Sequence, residues 1–266
     1  MKRTYLFIGA GRMAAAMVKG LKASCDDQVT IYAANSGNKE RLEIFCTAYQ
    51  LFPVVENWTD YITKVDTIVL AMPPSQQQDI LQQLAPFVTT QLIISVAAGK
   101  GLREMQKYLP DQTAVAWVMP NTAAQIGQSM SLYTTSTISE AQKSALHVLL
   151  ESIGEAKECS EEQIHTLTAI TGSAPAFVYE FAMSLMDAAG NAQLAEEELQ
   201  ELVAQMIYGA AMMLKSSSSP AELREAVTTP GGATAAGLDV LYAKNFQKVI
   251  HEAIQATSER ARILGN

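Results

Sequence analysis

Over its first 120 residues the chain repeats one pattern, a short apolar run followed by an amphipathic stretch. Residues 5–8, 29–33, 67–71, 92–96 and 114–118 have the length and bulky apolar content of buried strands. Between them, 13–23, 39–49, 76–84 and 102–108 place apolar residues at helical spacing. Strands separated by helices cannot close as hairpins, so this order predicts a parallel sheet joined by crossover helices. Two further strands, near 129–134 and 154–158, flank a helix at 139–151.

After Cys159 the alternation stops and long helical patterns take over, at 161–190, 195–215, 220–227 and 245–263. Ser160 before Glu161 and Ser219 before Pro220 are helix-start signals. With 266 residues the length suggests about two domains, and the boundary is expected near residue 160: an α/β domain over 1–160 and an all-helical domain over 161–266. The second is rich in Ala, Met and Leu, as in Tyr208-Gly-Ala-Ala-Met-Met-Leu214, more apolar surface than about a hundred residues bury alone. A core shared with a second subunit is the expectation.

A net charge of −8 without any basic run disfavours nucleic acid or an anionic membrane as partner. No apolar run approaches the length of a membrane span, and Arg12 and Lys19 interrupt the N-terminal apolar stretch too early for a signal peptide. Cys25, Cys46 and Cys159 have neither metal-ligand spacing nor an even count, so no metal site is expected and a reducing cytoplasm is.

Any anionic ligand must then be held by local dipoles, and two turns offer them. Gly9, Ala10, Gly11, Arg12, Met13 and Ala14 follow the first strand and open a helix, with alanine at the third small position of the dinucleotide fingerprint, where helix packs closely on strand. The domain is accordingly expected to be Rossmann-type and NAD(P)-binding. At the end of the second strand stand Asn35 and Ser36 with no carboxylate to repel a 2′-phosphate, which favours NADPH with NADH possible; the same residue types also suit a plain turn. The other turn is Thr228-Thr-Pro-Gly-Gly-Ala-Thr234, where proline ends one element and two glycines let backbone approach a ligand before a helix over 235–243.

The three histidines, His147, His165 and His251, stand apart in helical segments, and Ser173 lacks the glycine pattern of a hydrolase elbow. Chemistry that needs little from titratable side chains fits best, and reduction of a protonated imine is of that kind. Thr234 offers a hydroxyl to the nitrogen or, equally well, a helix-capping hydroxyl.

Nearly end to end, the chain resembles the pyrroline-5-carboxylate reductase family. The motifs are Gly9 to Ala14, Ala71-Met-Pro-Pro74, Ile94-Ser-Val-Ala-Ala-Gly99, Met119-Pro-Asn-Thr122, Thr171-Gly-Ser-Ala-Pro-Ala176 and Leu223-Arg-Glu-Ala-Val-Thr-Thr-Pro-Gly-Gly-Ala-Thr234 followed by Gly237-Leu238. The resemblance implies a Rossmann domain and an all-α dimerisation domain interlocked with a partner, with an active site between domains that draws on both protomers. It places NADPH along Gly9 to Ala14, at Asn35, Ser36 and Asn57, along Ala71, Met72 and Pro73, and near Val96, Ala97 and Ala98. It rests the carboxylate of 1-pyrroline-5-carboxylate on Thr229, Pro230, Gly231, Gly232, Ala233 and Thr234, with Thr234 near the ring nitrogen and Glu161 beside the substrate. The implied reaction yields L-proline.

Some positions depart from the usual pattern. Pro73 stands where the family commonly has lysine, Trp117 where it often has arginine, Ala123 where it has proline, Ala174 where it has glycine, His165 where it has aspartate and Ser36 where arginine is frequent. Two other readings therefore stand beside the first: a β-hydroxyacid dehydrogenase-like reductase, and a silent nucleotide-binding relative.

Overall fold

The structure is a computed structural model that describes residues 2–35, 37–55, 57–190, 192–216 and 218–265, with the side chains of residues 264 and 265 left aside. Its first compact unit, Met1–Gly172 with Ser258–Asn266, is built on an eight-stranded sheet among the described residues. The strands are β1 (Arg3–Ile8), β2 (Val29–Ala34), β3 (Phe52–Val54), β4 (Thr67–Leu70), β5 (Leu92–Ser95), β6 (Ala114–Met119), β7 (Ser129–Thr135) and β8 (Gly154–Glu158), in spatial order β3-β2-β1-β4-β5-β6-β7-β8. The first six strands have the 3-2-1-4-5-6 order of a dinucleotide-binding fold.

Period-two alternation decides which face each residue serves. In β1, Tyr5 and Phe7 join one core with Met17, Leu42 and Leu146, while Leu6 and Ile8 join the other with Leu81, Leu84 and Met105. The helices behind these residues are α1 (Arg12–Cys25), α2 (Lys39–Tyr49) and α5 (Glu140–Glu151) for the first core, and α3 (Pro74–Leu84) and α4 (Leu102–Gln106) for the second. Each fully buried large apolar side chain contributes about 1.5–3 kcal/mol.

Two expectations about the sheet need correction. Strand β3 was not anticipated: it is three residues long and carries Pro53, which an edge strand tolerates because its missing N–H faces no neighbour. The sheet is not wholly parallel, since β7 pairs antiparallel with β6. The segment from Met119 to Ser129 holds only a 3₁₀ turn (Thr122–Ile126), too short for a crossover, and Gly127 (φ 69°) turns the chain back beside β6.

The expected helix over 161–190 is also interrupted. It comprises α6 (Glu161–Thr168), a π-helical turn (Ala169–Ser173) and α7 (Pro175–Ala188). Pro175 has no N–H for the carbonyl four residues back, and that carbonyl, on Thr171, accepts from Asn121 Nδ2 at 2.9 Å instead.

The second compact unit, Ser173–Thr257, contains α7, α8 (Glu196–Leu214), α9 (Pro220–Ala226) and α10 (Ala233–Ala243); α11 (Phe246–Gly265) begins in it. Ser160 and Ser219 close capping boxes with Gln163 and Glu222, as the sequence signals indicate. Among the described residues of α7 to α10 none is buried, and Tyr179, Met183, Leu202, Tyr208, Met213 and Val240 are exposed apolar side chains.

Candidate active site

The point where strand order reverses, between β1 and β4, puts the ends of two neighbouring strands side by side and opens a crevice beyond them. Gly9 leaves β1 with φ 110°, donates its N–H to Ala34 O at 2.9 Å, and lies so close to β4 that a Cβ on it would stand 2.7 Å from Ala71 O. The turn delivers Gly11 as the N-cap of α1, with no side-chain cap, so the first N–H groups of that helix are available to an anion. Ala14 is fully buried in the core beneath, which is the packing role its small size permits.

A cleft of about 570 Å³ lies over this turn and brings together Gly9, Ala10, Gly11, Asn35, Ala71, Met72 and Pro73 from the expected cofactor set. Pro73 and Pro74 carry the chain from β4 straight into α3, with Pro74 at its first position. Arg12 and Met13 belong to the first turn of α1 rather than to the cleft lining. Asn57 is not in the lining; it holds a left-handed conformation (φ 43°) at the start of a 3₁₀ segment (Trp58–Lys64). Ser36 lies outside the described residues. Asn38 and Arg41, absent from the expected set, do line the cleft.

Val96, Ala97 and Ala98 follow β5 and also stand apart from that lining. A buried polar chain holds their backbone. Ala97 donates its N–H to Ser95 Oγ at 3.3 Å, Ser95 donates to Gln77 Oε1 at 3.0 Å, and Trp117 Nε1 donates to Ala97 O at 2.9 Å. Gln77, Ser95 and Trp117 are at most 1% exposed, so nothing from solvent replaces these bonds. The His165 ring lies over Trp117 with centroids 4.8 Å apart, so two of the departing positions form one contact. Sequence reasoning gave Gln77 and Ser95 no role; the available signal was a polar residue closing the apolar strand Leu92–Ser95.

Trp117→Phe removes the donor to Ala97 O and leaves a buried carbonyl unpaired, at a cost of roughly 1–3 kcal/mol. The expected result is a lower urea midpoint together with a raised KM for NADPH. An unchanged cofactor KM in a destabilised variant would assign Trp117 to packing alone.

Glu161, the first residue of α6, sets its carboxylate against Gly101, where even a methyl group would overlap it. Burial pushes the Cys46 thiol up to about 11 and raises that of Cys25, so neither presents a thiolate at neutral pH.

The late glycine turn lies in the second compact unit. Gly231 has φ 71°, Gly232 N–H closes the turn on Thr229 O at 2.9 Å, and Gly232 is the N-cap of α10 without a side-chain cap. The helix therefore starts at Ala233, two residues earlier than expected. Thr234 is exposed and does not cap it, which removes the structural reading of that hydroxyl.

A doubly wound sheet with a glycine turn at its switch point defines a dinucleotide-binding domain. A profile described as NADP oxidoreductase, coenzyme F420-dependent, matches residues 4–99, and one described as pyrroline-5-carboxylate reductase dimerisation matches residues 161–264. Pyrroline-5-carboxylate reductase 2 of Bacillus subtilis is 36% identical over 260 residues, covering 96% of this chain and 92% of that protein. The reductase of Pseudomonas aeruginosa is 35% identical over 96% of this chain and 94% of its own length. Among solved structures, the Coxiella burnetii reductase aligns with a TM-score of 0.90 at 28% identity over 100% of both chains. The Plasmodium falciparum enzyme with NADP bound aligns at 0.87 and 26% identity, over 99% of this chain and 98% of that one. The chain belongs to the pyrroline-5-carboxylate reductase family.

Proposed function

We propose that the protein reduces 1-pyrroline-5-carboxylate to L-proline with NADPH. The observation that carries this reading is the presence of two glycine turns, each feeding an uncapped helix N-terminus, one followed by an unengaged hydroxyl. The cofactor supplies a hydride; the chain's own residues bind and orient. Gly9, Ala10 and Gly11, with the first N–H groups of α1, take the pyrophosphate, and the open space beside Gly11, where an added Cβ would meet nothing nearer than Ala71 O at 3.9 Å, leaves room for that group. Asn35, Ala71, Met72 and Pro73 continue its site, Val96 to Ala98 border the nicotinamide, and Asn57 stands at the margin.

The backbone from Thr229 to Ala233 receives the substrate carboxylate, Thr234 directs its hydroxyl to the ring nitrogen, and Glu161 adds negative charge beside a cationic imine. Following oxidation of NADPH and of NADH with 1-pyrroline-5-carboxylate tests the whole reading. Cofactor binding with no imine reduction at high enzyme concentration would instead mark a silent relative.

Thr234→Val keeps the shape and removes the hydroxyl. Its expected effect is a fall in kcat of about 10²- to 10³-fold with the KM for NADPH unchanged, because one hydrogen bond to the reacting centre is lost. Thr234→Ser recovers most of the rate. A valine variant as fast as wild type would remove Thr234 from the chemistry.

We assign the exposed apolar faces of α7, α8 and α10 to a homodimer, in keeping with the dimerisation profile, and light scattering of the purified chain tests it. No helix among the described residues is long and apolar enough to cross a membrane. Three free cysteines suit a cytoplasmic location.

A further inference from the structure

The end of β2 is where a dinucleotide-binding fold distinguishes a ribose hydroxyl from a ribose phosphate. Asn35 stands there, and the chain enters α2 through Asn38, whose Oδ1 accepts the Arg41 N–H at 2.9 Å. This cap fixes Arg41 as the third residue of α2, and Arg41 lines the same cleft as Gly9, Gly11, Asn35 and Asn38. Asp79 is the carboxylate in that lining, and among the described residues no ion pair joins it or any other acid to Arg41.

An unpaired guanidinium above the glycine turn, flanked by two amides and set in the first turn of a helix, is suited to a dianionic phosphate. The helix dipole adds to the attraction, and the planar fork binds two phosphate oxygens at once. Nothing in the cleft lining other than Arg41 carries positive charge, among the described residues.

We propose that Arg41 is the specificity-determining residue for the cofactor: with Asn35 and Asn38 it holds the 2′-phosphate of the adenosine ribose and so selects NADPH over NADH. This rests on the cofactor assignment above, and a test with cofactor fragments keeps it separable from the reductase activity. The probes are 2′,5′-ADP and 5′-ADP, titrated calorimetrically into the full chain, its Arg41→Ala variant and its Arg41→Lys variant.

Arg41→Ala should weaken 2′,5′-ADP by about 10- to 100-fold, the value of a charge-assisted pair, and leave 5′-ADP within about twofold. The lysine variant should fall between, since it keeps the charge and loses the fork, and the salt dependence of 2′,5′-ADP binding should flatten in the alanine variant. In turnover, the KM for NADPH should rise while that for NADH stays. Equal weakening of both fragments, or no change in either, overturns the assignment. Arg41 is exposed and its cap bond uses only its backbone, so the alanine variant should fold normally. Intact fragment discrimination with no imine reduction would strike the proposed function and leave this inference standing.

Discussion

Gly9→Val should abolish measurable NADPH binding, with a loss of more than about 100-fold in affinity, and should lower the melting temperature as well. The added Cβ would stand 2.7 Å from Ala71 O, 2.8 Å from Ala71 C and 3.0 Å from Met72 N, all backbone atoms that have no rotamer to escape into. Neither side can retreat easily, because Gly9 N–H is bonded to Ala34 O and Ala71 N–H to Ile8 O, each at 2.9 Å. The backbone conformation at φ 110° is also one that a β-branched residue resists, adding roughly 1–3 kcal/mol of strain.

Gly11→Ala separates steric damage to the fold from steric damage to the ligand. The nearest atom to its added Cβ is Ala71 O at 3.9 Å, so the protein accommodates the methyl group. Under the proposed cofactor assignment, what the methyl meets is the pyrophosphate. The expected result is an unchanged melting temperature with weakened NADPH binding by fluorescence titration. If Gly11→Ala binds NADPH as wild type does, the pyrophosphate does not lie on this turn.

Gly232→Val should raise the KM for 1-pyrroline-5-carboxylate by about 10- to 100-fold and leave the KM for NADPH near its original value, since charge-assisted bonds contribute about 1.5–3 kcal/mol each. A Cβ at Gly232 would overlap Thr229 Oγ1, which has to rotate away, and would stand 3.0 Å from Thr229 O, so the turn shifts and the branched side chain adds bulk where the carboxylate is proposed to approach. Gly231→Ala gives a gentler version of the same perturbation. No atom lies within 4 Å of its added Cβ, and the remaining cost is the left-handed backbone at φ 71°, roughly 1–2 kcal/mol for a residue with a side chain. Steady-state kinetics with both substrates varied distinguishes the outcomes. A Gly232 variant with an unaltered KM for the imine would move the carboxylate site elsewhere.

Much of the fold was legible because its signals are local. The apolar runs that became β1, β2, β4, β5 and β6 are short and bounded by turn residues, and the expected helix at 39–49 coincides with α2. Ser160 and Ser219 each announce a helix start through a hydroxyl that reaches only three residues ahead. The glycine turns were readable for the same reason: Gly9 and Gly231 occupy left-handed conformations that the residue type itself allows. By contrast, the break in the helix after Thr168 was concealed. Pro175 marks it, but an apolar-rich stretch on either side resembles a continuous helix until a partner for the freed Thr171 carbonyl is known.

The candidate site divides in the same way. Gly9, Gly11 and Asn35 follow from motif and strand position, Ala71, Met72 and Pro73 from the family resemblance, and they meet in one cleft. Arg41, given no role in the sequence analysis, is set by the Asn38 cap in the first turn of α2 and lines the same cleft. Trp117 registered as a departure from the family pattern, and its indole donor proves to be bonded 20 residues away, to Ala97.

By itself, then, the chain's order of residues determined the strands other than β3, the helices apart from the break after Thr168, both glycine turns and the absence of a carboxylate at the end of β2, because each depends on neighbours within a few positions. Tertiary structure alone decided that β7 reverses beside β6, that Asn121 captures a carbonyl 50 residues onward, and that Gln77, Ser95 and Trp117 converge beneath Ala97. Those arrangements satisfy buried donors and acceptors whose partners are distant in sequence, and pairing of that kind is settled only when the whole sheet and its helices have closed around them.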